Sequence, residues 1–488
     1  MQSMNWGIMA PEITIAIAIS VAILLDLLLK PFVSRNGLGW VSLIGVAVAG
    51  SFVIYQFNLP TSSLFDGIYV LTIPSLMWKL LLLIGMALII LVSMGQKQDE
   101  LGSYRGEYYY LLLLALLGGM FVVSTWDLLM IYVGLELLSI SSYILVGIQR
   151  KREASTEAAW KYLVLGSVSS AFILYGMSFM IGLTGTTNIF EIISLGGVPE
   201  INEVYVYLSL FLLMVGVGFK VASAPFHAWV PDVYQGAPTS VTSFLAVVSK
   251  IAVLALFVPL LLTYAFVSTE AWNEVIAVLI MVLAALSMLV GNTVALRQTN
   301  VKRMMAYSSI ANAGYALVPF ARADDLFING PMFYSSLFFY LLAYLFTTIG
   351  VFAVIQLVEQ KEKSQDLKAF AGLHRRSPWL AVAMTLFIIS SAGIPITAGF
   401  FGKFYIISGI LSSWDNLWLV IVMLVTTVVS YYYYFSVIRQ MYFRPAPSML
   451  EVTTPKSVGV VISISCVVVI VLGILSPLVM DTFQRLFA

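Results

Sequence analysis

The chain is predicted to be all-α and polytopic, with fourteen transmembrane helices, two inverted five-helix repeats and breaks in helices 7 and 12. Three observations lead to this. First, its 488 residues are 60% hydrophobic and 10% charged, whereas soluble domains run nearer half apolar and a quarter charged, so this much apolar surface requires lipid around it. Second, dividing the chain into apolar stretches of roughly 20 residues, the length a bilayer core demands, sorts the 25 Lys and Arg onto alternate loops. Third, two stretches five spans apart are punctured by Pro and Gly, each beside a lysine. Proline removes a helix donor and clashes with the preceding turn, so those helices should be discontinuous.

The first three spans, near 12–30, 40–57 and 75–94, precede the repeats and occupy about 12–94. No basic residue comes before Glu12, and Asp26 lies within the first apolar run. That run lacks the charged start of a cleaved secretory signal and is expected to be retained. Spans four to eight, near 108–125, 127–147, 157–184, 205–223 and 240–264, form repeat one, about 108–265. Spans nine to thirteen, near 271–293, 303–320, 332–358, 379–410 and 414–440, form repeat two, about 271–441, and the fourteenth span lies near 458–480. An odd number of spans per repeat inverts the second relative to the first. Breaks at corresponding positions of two halves are the sequence mark of such inverted repeats.

Eighteen of the 25 basic residues fall in or beside odd-numbered loops, among them Arg150, Lys151, Arg152 and the 361–376 segment, while Arg322 and Arg485 lie opposite. By the positive-inside rule the odd loops face the cytoplasm, which places both termini on the outer side of a multi-pass cell (inner) membrane protein. The longest connections, 185–204 and 359–378, are too short for an independent core, so residues 1–488 are expected to form a single membrane domain. A lone Cys466, two histidines and the absence of a GxGxxG or Walker loop leave nucleotide, flavin, metal, haem and iron–sulfur chemistry without a place. No cofactor is expected in this chain, and no nucleic acid partner.

The remaining charges lie where they are expensive. Lys161, Lys220, Lys250, Lys403 and Glu136 fall inside apolar segments, where each costs about 2.5 to 3.5 kcal/mol on insertion scales and normally marks an ion or proton path. Ser139 and Tyr143 follow Glu136 at i+3 and i+7, on one helical face. Lys220 precedes Pro225 in the 216–239 stretch, and Lys403 follows Pro395, Gly399 and Gly402 in the 390–409 stretch. Lys250 has Ser243 seven residues before it, and Ser308, Asn312 and Tyr315 make a third stripe. His227, beside the first break, titrates at ordinary pH and suits a proton shuttle. Lys161 is only a turn or so inside its span and can snorkel to the interface; Lys79 reads as an interfacial anchor, and Asp26 and Asp127 as helix-end anchors. Burial disfavours the charged form of any ionisable group, so a row of such groups forms a relay. Pairing Glu136 with Lys220 or Lys161 keeps both charged, and separating the pair favours release of the lysine proton.

These stretches resemble the antiporter-like subunits of respiratory complex I, a family of membrane subunits, and within it the N branch, chain 2 in mitochondrial naming. The resemblance covers nearly the whole chain and rests on the Glu136 segment, FHAWVPDVYQGAPT, SSIANAGY and GIPITAGFFGKFY. It implies a proton path along a central polar axis. By motif match it carries the fifth-helix glutamate onto Glu136, its sixth-helix partner onto Lys161, and the seventh-, eighth- and twelfth-helix lysines onto Lys220, Lys250 and Lys403. It also implies other membrane subunits as partners, with quinone and NADH bound and electrons transferred elsewhere in the complex. The M branch and cation-antiporter subunits tend to place glutamate where Lys403 stands, and the L branch continues into a lateral helix beyond the position of Ala488. Asn312 departs from the histidine many relatives carry in SSIAHAGY, and it cannot titrate. Two other classes stay open: a subunit of a multisubunit sodium/proton antiporter, and a membrane scaffold. A sodium site wants several oxygen ligands, whereas the mid-membrane spans offer chiefly Glu136.

Overall fold

Apolar helices joined by short connections make up most of the computed structural model, which describes residues 6–28, 36–96, 105–195, 203–267, 270–321, 330–411, 416–446 and 451–488. They are α1 (Ala10–Leu28), α2 (Asn36–Gln56), α3 (Ile73–Met94), α4 (Arg105–Val122), α5 (Leu128–Val146), α6 (Glu153–Thr184) and α7 (Glu203–Val221). There follow α8 (Val230–Gly236), α9 (Thr239–Phe244), α10 (Lys250–Val267), α11 (Glu270–Ala295), α12 (Val301–Leu317) and α13 (Gly330–Glu362). The last are α14 (Pro378–Ala392), α15 (Ala398–Ile410), α16 (Leu417–Phe443), α17 (Lys456–Ile474) and α18 (Ser476–Phe487). Lys30, Arg35, Lys97, Glu200 and Arg322, which entered the loop-charge reading, lie outside the described residues.

Among the described residues eleven helices are long and apolar enough to cross a membrane. The other three expected spans each fall short for a local reason. The fourth is a short apolar helix, the twelfth is split into α14 and α15, and the tenth, α12, carries the polar stripe SSIANAGY. Both expected breaks are present. Helix α7 stops at Val221, and α8 starts at Val230. Helix α14 ends on Gly393 in the left-handed region at φ 78°, the usual helix-terminating glycine, and α15 starts at Ala398. A third interruption was not expected: Leu245–Ser249 is π-helical and runs directly into Lys250 at the head of α10. Such a turn inserts a residue into the helical register and is common at functional sites.

The chain divides into two compact units, residues 1–90, 97–221 and 248–279 in one and 91–96, 222–247 and 280–488 in the other. In the first unit, α4 packs on α5 and α6 on α7 at close range. A Cβ on Gly118 of α4 would lie 2.7 Å from the Gly134 carbonyl of α5, and one on Gly216 of α7 would lie 2.8 Å from the Ser169 carbonyl of α6. Small residues permit such backbone approach where lipid supplies no hydrophobic drive between helices. Ser169 donates to the Gly216 carbonyl at 2.9 Å and Ser209 to the Gly176 carbonyl at 2.6 Å, stitching α6 to α7 in both directions. An antiparallel hairpin, β1 (Ser62–Leu64) and β2 (Tyr69–Leu71), pairs Ser62 with Leu71. Asp127 caps α5 by accepting from the Met130 amide at 2.8 Å.

Lys79 corrects an expectation. It is no interfacial anchor but fully buried, 2.8 Å from Glu12 of α1 and donating to the Tyr69 hydroxyl at 2.6 Å. The reason is tertiary: α1, α3 and β2 converge there and supply the counter-charge that an apolar span could not. In the second unit the long helix α13 is central, and α14, α15, α17 and α18 all pack on it.

Candidate proton-path residues

In the first unit three helices bring polar side chains to one point. Helix α5 supplies Glu136 and Ser139, α6 supplies Ser170, and the last turn of α7 supplies Lys220. The Lys220 ammonium donates to Ser139 Oγ at 2.7 Å and to Ser170 Oγ at 3.4 Å, and lies 3.6 Å from Glu136 Oε1. Ser170 in turn donates to Glu136 Oε1 at 2.5 Å. Two of the ammonium's donors are thus taken by hydroxyls, and the carboxylate supplies the counter-charge at ion-pair distance. Its place at a helix C-terminus adds the attraction of the unsatisfied carbonyls. The side chain is 6% exposed, so the pair sits in a medium where charge separation is costly. Tyr143, expected on the Glu136 face, is buried and meets Tyr162 of α6 edge-on at 4.6 Å.

Lys161 is placed apart from this cluster. It is 40% exposed and pairs with Glu157 at 2.7 Å, one turn earlier on α6. At 1.5 Å per residue it lies about 13 Å along the helix from Ser170, the α6 residue that does reach Glu136. Of the two lysines proposed as partners for Glu136, the geometry selects Lys220. Lys250 belongs to the same unit and is 3% exposed, at the head of α10 after the π-helical turn.

Lys403 lies in the second unit. Its ammonium donates to the Ser391 carbonyl at 3.2 Å and sits 4.6 Å above the Tyr315 ring, a cation–π contact. Beside it is a cavity of about 20 Å³ lined by Asn312, Tyr340, Tyr344, Thr347, Ser390 and Lys403 among others. That volume is near the minimum that holds one water, and the lining offers the polar partners a water needs. Tyr340 donates to Asn312 Oδ1 at 3.0 Å, and Asn312 donates to the Ser308 carbonyl at 2.8 Å, so the non-titrating Asn312 is locked as a structural link. Ser308 pairs with Tyr434 at 2.5 Å, while Asn292 joins Tyr315 at 3.1 Å and Tyr433 at 3.0 Å. The expected stripe of Ser308, Asn312 and Tyr315 therefore lies in the lysine's own surroundings. His227 sits half-buried in the first break with its ring 6.5 Å from that of Tyr307, and it is not among the residues lining the Lys403 cavity.

Five residues of these two sites carry no signal of their own in the sequence. Ser170 was one serine among several in GSVSSA, and only packing singles it out. Tyr340, Tyr344, Tyr433 and Tyr434 join the surroundings of Lys403 through cavity lining or hydrogen bonds that no local sequence pattern marks. Lys302, one of the basic residues assigned to odd-numbered loops, lies apart from these sites and is fully buried with Glu359 at 3.3 Å.

Residues 125–430 match the family model described as NADH:quinone oxidoreductase/Mrp antiporter, TM. The chain is 44% identical to NADH-quinone oxidoreductase subunit N of Brevibacillus brevis, over 99% of this chain and 95% of that one. It is also 44% identical to the subunit of the same name from Anoxybacillus flavithermus, over 98% and 96%. Among solved structures it is similar to a chain of respiratory complex I from Thermus thermophilus with bound aureothin, with a TM-score of 0.80 and 31% identity over 96% of this chain and 98% of that one. A chain of the Mrp complex from Dietzia sp. matches with a TM-score of 0.83 and 19% identity over 99% and 97%, a likeness of fold alone.

Proposed function

The chain belongs to the subunit N family of NADH-quinone oxidoreductases, the antiporter-like membrane subunits of respiratory complex I, and from that premise we propose that protons cross it by way of Glu136, Lys220, Lys250 and Lys403. It is a proton-translocating membrane subunit of a redox-driven pump and works among other membrane subunits. The observation that supports this route is the hydroxyl of Ser170, which binds the Glu136 carboxylate and the Lys220 ammonium at once. While Glu136 is ionised and near, Lys220 is held protonated. When the carboxylate is neutralised or drawn away, the ammonium loses its counter-charge in a poorly solvated place and gives up its proton. Loading and release thus follow from one local change in charge.

Lys250 and Lys403 continue the route as buried amines, and Lys161 and His227 serve it from the α6 surface and the first break. The electron-transfer cofactors, NADH and quinone are held by other subunits, and this chain carries none. The fourteen-span count, the two inverted repeats and the outward placement of both termini belong to the same reading. A sodium site gains nothing from the geometry, because the oxygens of Glu136, Ser139 and Ser170 are already gathered around an ammonium rather than open to a metal cation.

The experiment is Lys220→Ala in the assembled complex, with NADH-driven proton uptake by membrane vesicles normalised to the amount of complex. Loss of uptake is expected. Wild-type uptake would remove Lys220 from the path.

A further inference from the structure

The second unit carries another fully buried cation that the route above does not use. Lys302, at the start of α12, donates to the Ala237 carbonyl at 2.9 Å and lies 3.3 Å from Glu359 near the end of α13. Glu359, 18% exposed, also accepts from Gln365 at 2.6 Å and from the Thr239 hydroxyl. This carboxylate is therefore reachable from the end of the unit that bears the basic 361–376 segment, while its partner is not.

From Glu359 a line of side chains climbs α13 towards the Lys403 cavity. Gln356, Phe352, Thr348, Tyr344 and Tyr340 follow at intervals of three or four residues, so each stands over the last on one ridge of the helix. Tyr344 and Tyr340 line the cavity beside Lys403. All members but one are polar. The exception, Phe352, is 1% exposed and meets the Tyr234 ring edge-on at 6.3 Å. The Tyr234 hydroxyl is 3.3 Å from Ser309 Oγ, which is 3.0 Å from the hydroxyl of the cavity-lining Tyr344.

Helix α9, packed against α13, marks the same levels. Ser240 shares Gln96 with Gln356, at 3.1 and 3.3 Å, and the Ala246 carbonyl just beyond the helix accepts from Tyr344 at 3.1 Å. Ser243 lies midway between Ser240 and Ala246 in the chain, so interpolating between these two contacts sets it near the level of Phe352 and Thr348. Its hydroxyl is 1% exposed and makes no hydrogen bond. A buried hydroxyl left without a partner is costly, and a water is the ordinary remedy.

We propose that Phe352 and Ser243 form a water gate between a proton-loading pair, Lys302 and Glu359, and the Lys403 cavity. This rests on the reading of Lys403 as a proton carrier. Glu359 takes a proton from water at its exposed edge and passes it to waters that hydrogen-bond to Ser243 once the Phe352 ring leaves Tyr234. The proton moves on by way of Tyr344 and the cavity water to the neutral amine of Lys403. Glu359 returns to carboxylate and no other bond changes. With Phe352 in place the polar line is interrupted, so the loading pair exchanges with water without draining the cavity.

The test uses the assembled complex in sealed membrane vesicles, with protons moved per NADH oxidised and the passive proton leak both measured. Phe352→Ala is expected to raise the leak several-fold and lower the ratio, and Phe352→Met, similarly bulky and apolar, to keep the barrier. Ser243→Ala is expected to lower the pumping rate several-fold without raising the leak. If Phe352→Ala does not assemble, Phe352→Val makes the same comparison with a smaller deletion. Wild-type leak and ratio in the smaller-side-chain variant, with Ser243→Ala pumping normally, overturn the gate. Lys403→Ala separates the two levels: if it abolishes pumping while the gate variants behave as wild type, only the gate fails, whereas normal pumping by Lys403→Ala removes the reading on which the gate rests.

Discussion

Lys220 and Glu136 meet through a shared hydroxyl. The ammonium stands 3.6 Å from Glu136 Oε1, and Ser170 Oγ accepts from the ammonium at 3.4 Å while donating to that carboxylate oxygen at 2.5 Å. A direct ion pair alone would hold the charges but offer no intermediate site for a proton. The hydroxyl supplies one.

Ser170→Ala preserves both charges and deletes only this bridge. Hydrogen bonds to charged groups contribute about 1.5–3 kcal/mol, so proton transfer through the cluster is expected to slow by about tenfold or more, with normal assembly. Glu136→Gln should cut pumping further, since it removes the charge as well. NADH-driven uptake in vesicles reads both, and a Ser170→Ala rate equal to wild type rules the bridge out.

Lys403→Arg tests charge against release. Arginine keeps the cation and its attraction to the Tyr315 ring but does not deprotonate in proteins. A relay should fail in Lys403→Arg nearly as badly as in Lys403→Ala. If arginine restored coupled activity, the residue would be an electrostatic anchor for the broken helix instead.

Gly473→Ala probes the packing that holds the second break. A Cβ there would lie 2.1 Å from the carbonyl oxygen of Ile396, a non-glycine residue already at φ 80°. The neighbour is backbone, so relief requires α17 to move. A loss of about 1–3 kcal/mol is expected, typical of overpacking, seen as a lower melting temperature of the complex. An unchanged melting temperature would show that the break is not pinned by this contact.

The Glu12–Lys79 pair invites a double-mutant cycle. Removing one member strands the other in the interior, so Glu12→Gln or Lys79→Met alone is expected to cost about 3–5 kcal/mol. Combining them should recover much of that loss, because no unpaired charge remains. Thermal stability of the assembled subunit is the measurement; strictly additive losses would mean the two charges do not depend on each other.

Sidedness is settled by labelling. In a Cys466→Ser background, cysteines at Lys363 and Glu200 are expected to react with an impermeant reagent from opposite faces, with Lys363 cytoplasmic. Labelling of both from one face would falsify the fourteen-span map.

Much of this architecture was legible residue by residue. The bilayer charges a local cost for every polar group, so apolar run length reveals a membrane protein, Pro and Gly clusters reveal the interruptions at 222–229 and 393–397, and a lysine within an apolar run announces itself. The interruption at Leu245–Ser249 left no such trace, because its sequence LAVVS suits an ordinary helix equally well.

What only the tertiary structure decided is which group answers which charge. Lys220 is 81 residues from Ser139 and 50 from Ser170, and nothing in the local pattern chose it over Lys161 as the partner of Glu136. Lys79 looked like an anchor and Lys302 like a loop cation until Glu12 and Glu359 were brought to them. In a membrane, helices associate through close packing of small residues and matching polar groups rather than through a hydrophobic drive, so lateral neighbours depend on the fit of whole surfaces. Sequence by itself determined that the chain is a membrane protein and where Pro and Gly interrupt its helices, because those costs are local; the π-helical turn and the partner of each buried charge were decided by how the helices pack.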